Sequence, residues 1–361
     1  MKKYRIAIVG AGGIVGAHIA AIASHADRVE LVALVDIDQN RVEQICHENR
    51  IPNAYTSVSE MLERERPDLV HVITPSATHT SLSIQCLKAG AWVFCEKPLC
   101  GSLAEFDAIT RAEAETGRYV STVFQWRFGS AGKHLKKLID TGALGKPLVG
   151  VCNTLWYRTQ DYYGLAWRGT YQDAFGGPTV TLGIHLMDLF LWLMGDWEEI
   201  RAMTGTLDRD IEVEDVSMAL VRFANGAMTT VTNSALSPRQ ESYMRFDFQK
   251  ASVECTTLYR YNNEHWKISL PPHVDEPDTL AQWEALTEDV QGSHEQQLRE
   301  LLDSMDAGQR PFVSGSEARR IIEFISCLYK SAKTGLPVKR GDLTAEDPFY
   351  FTNKGIVEVP A

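Results

Sequence analysis

"RIAIVGAGGIVGAH", residues 5–18, runs an apolar strand into a glycine-rich turn and on into a helix. Gly10, Gly12 and Gly13 fall at the turn, where positive φ and a bare backbone let a pyrophosphate reach the amides of a helix N-terminus. Ile14 and Val15 complete the cofactor side of the turn; Val15 stands where G-x-G-x-x-G has its third glycine, and Gly16 is displaced by one. A glycine turn alone is common, so its context decides. Asp36 closes the next apolar run twenty residues beyond Gly16. A carboxylate there accepts from the ribose hydroxyls of adenosine and repels a 2′-phosphate, which selects NAD over NADP. A strand-end aspartate that caps the following helix is the competing structural role.

Outward from this turn, residues 4–122 alternate "YRIAIVG", "VELVALVD", "DLVHVIT", "AWVFCE" and "RYVSTVF" with five segments of helical apolar spacing. Strand then helix, repeated, implies an α/β fold with a doubly wound parallel sheet covered on both faces. After residue 123 the rhythm changes to successive strands, with Asn225-Gly226 marking a hairpin between "DVSMALVRFA" and "AMTTVTNSAL". Short turns between strands imply a mostly antiparallel sheet. Two closing amphipathic helices, 294–308 and 316–335, each end on glycine. The expected domains are therefore 1–122, binding the dinucleotide, and 123–361, binding substrate and carrying the oligomer contact.

The whole chain sets bounds on function. Its 361 residues suffice for two cores, and 47 acidic against 36 basic residues give a net charge of −11, which disfavours nucleic acid as a partner. No apolar run approaches a membrane span or the core of a signal peptide, so a cytoplasmic protein is expected. The seven cysteines are scattered without C-x-x-C, indicating buried free thiols and neither a disulfide framework nor a metal cluster. Alternating apolar residues in "MALVRF" and "MTTVTN" mark a sheet face that meets another subunit, in a homodimer or homotetramer.

Two stretches carry the chemistry. In "CEKPL", Lys97 follows the fifth strand and precedes Pro98, which holds its backbone extended; ligands of open α/β sheets bind at this carboxyl edge. In "GGPTVTLGIH", residues 176–185, a flexible double glycine leads to Thr181 and, one helical turn further on, to His185 at the start of an apolar helix. Removing a hydroxyl proton while hydride leaves the same carbon needs a base in reach of the oxygen, and histidine or a desolvated lysine can serve. A helix-capping role for the histidine competes with this. Between the two stretches lie Trp126, Arg127, Trp156, Tyr157, Arg158, Tyr162, Tyr163, Trp167 and Arg168. Aromatic planes stack on sugar rings and arginines bond hydroxyls or a carboxylate, so Trp126, Arg127, Tyr157, Trp167 and Arg168 are candidate substrate contacts; core or interface packing is the alternative for each.

The turn, "TPSATH" at 74–79, "EKP", "GALGKP" at 142–147 and "GG…GIHLMDLFLWLMG" together resemble, in order and spacing, the Gfo/Idh/MocA oxidoreductases of the glucose–fructose oxidoreductase and inositol dehydrogenase type. The resemblance implies a Rossmann domain followed by an α/β domain on an open, mostly antiparallel sheet. It implies that Lys97 and His185 face the substrate hydroxyl beside the nicotinamide, with His185 as proton acceptor and Lys97 polarising the oxygen. It further implies that Thr74, Pro75 and His79 border the cofactor, that Glu96 helps to seat it along with Lys97, and that Gln125 lies near its nicotinamide end. Many members carry aspartate four residues before the histidine; Thr181 stands there in this chain, a hydroxyl without charge.

The expected activity is hydride transfer between NAD and a hydroxyl of a sugar, sugar derivative or cyclitol. Two other readings keep the fold: transient oxidation by bound NAD in glycoside elimination or hydrolysis, and a sugar-sensing protein without catalysis.

Overall fold

In the computed structural model, which describes residues 3–165, 167–272 and 276–356, the chain forms two compact units. The first comprises residues up to Val123 together with His294–Arg319, and the second comprises Phe124–Ser293 and the chain from Arg320 onward.

The first unit contains β1 (Tyr4–Val9), α1 (Val15–Ala23), β2 (Val29–Val35), α2 (Gln39–Asn49), β3 (Asn53–Tyr55), α3 (Val58–Glu65), β4 (Leu69–Val72), α4 (His79–Lys88), β5 (Trp92–Cys95), α5 (Leu103–Thr116) and β6 (Val120–Thr122). The six strands are all parallel in the order β3-β2-β1-β4-β5-β6. The order reverses beside β1, and that point is the crevice where a dinucleotide fits. β4 and β5 are buried throughout, as strands covered on both faces must be. Side-chain caps from Asp38, Ser57 and Ser102 start α2, α3 and α5.

The second unit contains α6 (Ser130–Asp140), β7 (Pro147–Tyr157), α7 (Tyr171–Ala174), α8 (Pro178–Thr181), α9 (Ile184–Met194), β8 (Trp197–Gly205), β9 (Val216–Phe223), β10 (Met228–Ser234), β11 (Leu236–Phe248), β12 (Ser252–Thr257), β13 (Trp266–Ser269) and α10 (Pro277–Glu284). Further along the chain come α11 (His294–Ala307), which belongs to the first unit, α12 (Gly315–Thr334), which crosses the boundary at 319, and β14 (Val338–Lys339). The eight-stranded sheet has the order β13-β12-β11-β7-β10-β9-β8-β14. β7 and β10 pair in parallel, and the other described pairs run antiparallel. The expected hairpin joins β9 to β10, with Gly226 at φ 90° closing the turn.

Three expectations need correction. The division at 122/123 assigned both closing helices to the second domain, whereas α11 packs Leu298, Leu301 and Leu302 into the apolar core of the first unit. Arg28 bonds Asp303 and Asp306, and His25 bonds the Glu295 carbonyl, which ties α11 down. β3 is too short to carry a periodic signal. The double glycine is not a flexible joint: a Cβ on Gly177 would lie 1.8 Å from the Glu214 carbonyl oxygen, and one on Gly176 would lie 2.0 Å from the Tyr329 hydroxyl.

Among the described residues no single helix is long and apolar enough to cross a membrane. All seven cysteines are free and buried.

Candidate active site

Because the first sheet is parallel, the residues that follow its strands gather on one edge. Gly10–Ile14 follow β1, Asp36 follows β2, Thr74–His79 follow β4, and Glu96–Lys97 follow β5. Gly10 has φ 110°, and a Cβ there would meet the Ile73 backbone at 2.9 Å, so only glycine fits. Around Gly12 and Gly13 the space is open. No side chain caps α1, and the amides of Gly12, Gly13 and Ile14 have no acceptor among the described residues. Unspent donors at a helix N-terminus suit a pyrophosphate. Asp36 is oriented by accepting from the Ala11 amide (2.6 Å) and the Asp38 amide (2.9 Å), which leaves lone pairs on both oxygens for hydroxyl donors. This edge fits an NAD-type dinucleotide.

The resemblance set His79 at the border of the cofactor. In the structure it is buried, with its ring nitrogens 2.7 Å from the Pro98 carbonyl and 2.8 Å from the Thr74 carbonyl. It staples the loop after β4 to the loop after β5, and Thr74 and the exposed Pro75 form the outer surface of that loop. The Lys97–Pro98 peptide is cis.

Glu96 sits at the centre of a buried network absent from the sequence reading. Its Oε1 accepts from His18 Nε2 (3.1 Å) and His294 Nε2 (3.0 Å), and its Oε2 accepts from the Lys97 amide (3.2 Å). A carboxylate only accepts, so both histidines carry their proton on Nε2. Burial holds His18 below its ordinary 6.5, so it stays neutral and its Nδ1 is bare; His71 Nδ1–H therefore donates to it at 2.9 Å. The remaining His71 nitrogen, Nε2, is a buried lone pair without a partner among the described residues. Burial alone would raise the Glu96 carboxyl, but the bonds from His18 and His294 outweigh it and hold the group well below 4.5. Burial in turn pulls the Lys97 ammonium below its ordinary 10.5, and Glu96 offsets part of that. His18 Nε2, Glu96 Oε1 and His294 Nε2 lie within 4.8 Å of one another, and these hydrogen bonds account for their grouping.

In the second unit His185 is in the first turn of α9, buried, within a cage of rings. Trp126 stacks on it (centroids 6.3 Å apart, planes at 13°), while Tyr259 and Phe124 meet it edge-on at 5.9 and 6.4 Å. The approach to this helix is clamped. Glu214 accepts from the Gly177 and Thr179 amides and from the Tyr329 hydroxyl, and Asn233 leaves no room for a Cβ at Gly183. Thr181 closes α8 and donates to the Gly177 carbonyl at 2.9 Å. The sequence reading had Thr181 one helical turn before His185; instead the helical stretch Tyr171–Thr181 and α9 meet at 58°, separated by Leu182 and Gly183.

The remaining candidates divide. Arg127 is buried and bonds Asp188 through Nε and Nη2 at 2.7 and 2.6 Å, so it is a core ion pair and drops out of the substrate set. Gln125 is buried, with Oε1 lacking a partner among the described residues. Tyr157 is partly exposed beneath the Arg209 guanidinium. Trp167 and Arg168 stack on one another at 4.6 Å. Tyr259, Glu214 and the three network histidines, His18, His71 and His294, were missed because each acts on a partner remote in sequence, and a lone tyrosine, glutamate or histidine has no local signature.

Comparison with known proteins agrees with this architecture. Residues 4–124 match the oxidoreductase family with an NAD-binding Rossmann fold, and residues 133–256 match the GFO/IDH/MocA C-terminal domain. The chain is 30% identical to scyllo-inositol 2-dehydrogenase (NAD(+)) of Bacillus subtilis over 65% of this chain and 68% of that protein. It is 25% identical to D-apiose dehydrogenase of Paraburkholderia graminis over 96% and 92%. The crystal structure of the WlbA dehydrogenase of Chromobacterium violaceum, in complex with NADH and UDP-GlcNAcA, superposes with a TM-score of 0.83 at 28% identity, covering 95% of this chain and 98% of that one.

Proposed function

The chain belongs to the Gfo/Idh/MocA oxidoreductase family, and on that premise we propose that it is an NAD-dependent dehydrogenase oxidising a secondary or anomeric hydroxyl of a sugar, sugar derivative or cyclitol. One observation carries the reading: the open glycine turn, Asp36 and the Glu96–Lys97 pair all follow strands of one parallel sheet and so share its carboxyl edge. Gly10, Gly12, Gly13, Ile14 and Val15 hold the pyrophosphate, Asp36 the adenosine ribose, and Thr74, Pro75, Glu96, Lys97 and Gln125 the nicotinamide half. When bound, the nicotinamide supplies the hydride acceptor.

Lys97 donates a hydrogen bond to the substrate oxygen and stabilises negative charge as it develops, with Glu96 holding the lysine backbone in place. His185 takes the hydroxyl proton, its ring plane fixed by Trp126, Tyr259 and Phe124. Trp126, Tyr157, Trp167, Arg168 and Thr181 contact the sugar. A panel of sugars, sugar acids and polyols with NAD, read as absorbance of reduced cofactor, tests the reading; no reduction with any member would reject it.

The orientation of Asp36 gives a cofactor prediction. A 2′-phosphate beside this carboxylate meets charge repulsion, so NAD binds at least tenfold more tightly than NADP, a difference of about 1.4 kcal/mol. Calorimetric titration with each cofactor checks it, and equal affinities would remove Asp36 from its role.

The second sheet supports a homodimer or homotetramer. Met203, Met218, Leu220 and Met228 stand on its outer face at 78%, 55%, 61% and 60% exposure, in adjacent strands where Met203 pairs with Met218. Apolar area of this kind on a strongly acidic chain fits a subunit contact. Wild type should sediment as a dimer or tetramer at micromolar concentration, and Leu220→Glu should shift it toward monomer. A monomeric wild type contradicts the assignment. The seven buried free thiols suit a reducing, cytoplasmic setting.

A further inference from the structure

We infer that the substrate carries an anionic group, a carboxylate or a phosphate, recognised by Arg158 and Arg168; this deepens the proposed function and rests on His185 marking the reacting hydroxyl. A continuous run of ring contacts leads from the histidine to both arginines. His185 meets Tyr259 at 5.9 Å, and Tyr259 meets Trp156 at 5.9 Å. The Arg158 guanidinium lies over Trp156 at 4.9 Å and over Tyr162 at 5.4 Å. The Arg168 guanidinium lies over Tyr162 at 3.9 Å and over Trp167 at 4.6 Å. A sugar stacked along this wall from the histidine reaches the arginines with a substituent or a linked group.

The charges around these side chains favour an anion. Several neighbouring arginines of the same unit are neutralised: Arg127 by Asp188, Arg209 by Asp208, Arg239 by Glu241 and Arg245 by Asp247. Arg158 and Arg168 have no carboxylate among the described residues, in a chain with eleven more acidic than basic residues. Arg158 spends Nη1 on the Tyr157 carbonyl (2.8 Å) and on Gln240 (3.5 Å). Arg168 spends Nη1 on the Tyr162 carbonyl (3.0 Å), and its Nε is buried without an acceptor. A buried guanidinium N–H left unbonded is costly, and an external oxygen would satisfy it. With their faces held on rings, both guanidinia offer edges to a carboxylate or phosphate in the planar, two-bond manner that distinguishes arginine from lysine.

Their backbones are fixed as well. The Arg158 amide donates to Ala235, its carbonyl accepts from Arg209 Nε, and the Arg168 amide donates to Leu165. Gly169, with φ 79°, then turns the chain, and its carbonyl accepts from the Glu212 amide at 3.0 Å. Ordering the two side chains in advance lowers what a ligand must spend to bind.

The test uses the intact protein with NAD and four probes: D-glucose, D-glucuronate, glucose 6-phosphate and UDP-glucose. At least one anionic probe should exceed glucose in kcat/KM by about thirtyfold or more at low salt, and the excess should shrink as ionic strength rises toward about 0.3 M. Which anionic probe leads separates carboxylate from phosphate recognition. Arg158→Gln should cut that excess about tenfold or more while NADH affinity, melting temperature and turnover of glucose hold, and Arg168→Gln should lower kcat/KM for the anionic probe at least about tenfold more than it lowers that for glucose, with NADH affinity and melting temperature unchanged. Arg168→Lys keeps the charge but loses the planar edge, and should recover only part of the excess. Where no probe is turned over, calorimetric binding of the same four to the NADH-loaded protein is read in the same way. Equal treatment of glucose and every anionic probe overturns the inference and leaves the dehydrogenase reading standing, as does an equal loss for both in the arginine variants. Absence of both turnover and binding across the wider sugar panel overturns the reading beneath it.

Discussion

Lys97→Met should lower kcat by about a thousandfold while NADH binding weakens by no more than about tenfold. The methionine keeps the length and apolar stem of the lysine but removes the donor proposed to meet the substrate oxygen. Glu96 would then lie beside a neutral side chain, still held by His18 and His294, so the cofactor edge keeps its shape. His185→Asn should lose about a hundredfold to a thousandfold, because the cage of Trp126, Tyr259 and Phe124 remains and only the proposed proton acceptor goes. If the two residues act on one oxygen, the double variant loses little more than the worse single one, since effects of groups acting as a unit do not add. Steady-state kinetics beside fluorescence titration of NADH measure both quantities. A Lys97→Met protein with kcat within tenfold of wild type would remove the lysine from the chemistry.

The second large effect concerns acid. His18 and His71 are buried and held below their ordinary 6.5, His71 well below, chiefly by burial. As pH falls through 6.5 the unfolded chain takes up these protons first and the native one does not. Stability is therefore undiminished above pH 6.5 and is lost below it, until the native values are reached. His79 is buried and lowered in the same way, so with three such groups the unfolding free energy falls by up to about 4 kcal/mol per pH unit in this window. Glu96 acts lower: its native value is depressed below 4.5, so its contribution is complete above 4.5 and disappears as pH falls further. Glu214 opposes it, since burial raises its native value and acid relieves that cost. Urea unfolding of the cofactor-free protein between pH 7 and 5 reads the slope. His71→Leu should cut it by about a third, and a flat profile down to pH 5 would contradict the neutral assignment of these histidines.

How much of this was legible in the sequence depends on how local each signal is. The β1 turn, Asp36 and five of the six strands of the parallel sheet were readable because each is encoded within a few consecutive residues: apolar runs, a glycine where a Cβ would clash at Gly10, and a carboxylate at a strand end. The hairpin at Asn225-Gly226 was readable for the same reason. α11 was readable as a helix but not as part of the first unit, since its stripe of Leu298, Leu301 and Leu302 fits any apolar surface. The histidines at 18, 71 and 294 converge on Glu96 only through the fold. Arg127 looked like a sugar contact because its partner, Asp188, lies in a helix whose apolar pattern hides it. The break between α8 and α9 was missed because "PTVTLGIHLMDL" reads as one continuous helix; the clamp that bends it comes from Glu214, Asn233 and Tyr329 in distant elements.

The central claim is net hydride transfer from a sugar carbon to NAD on this chain. Once the panel supplies a substrate, it is prepared with deuterium on the oxidised carbon and turned over with unlabelled NAD, and the released cofactor and sugar are weighed by mass spectrometry. The account predicts one deuterium in the reduced cofactor for each sugar oxidised, released to solution with each turnover. Sugar converted with no net reduced cofactor, or with the deuterium returned to the product, would contradict it and identify transient oxidation in its place.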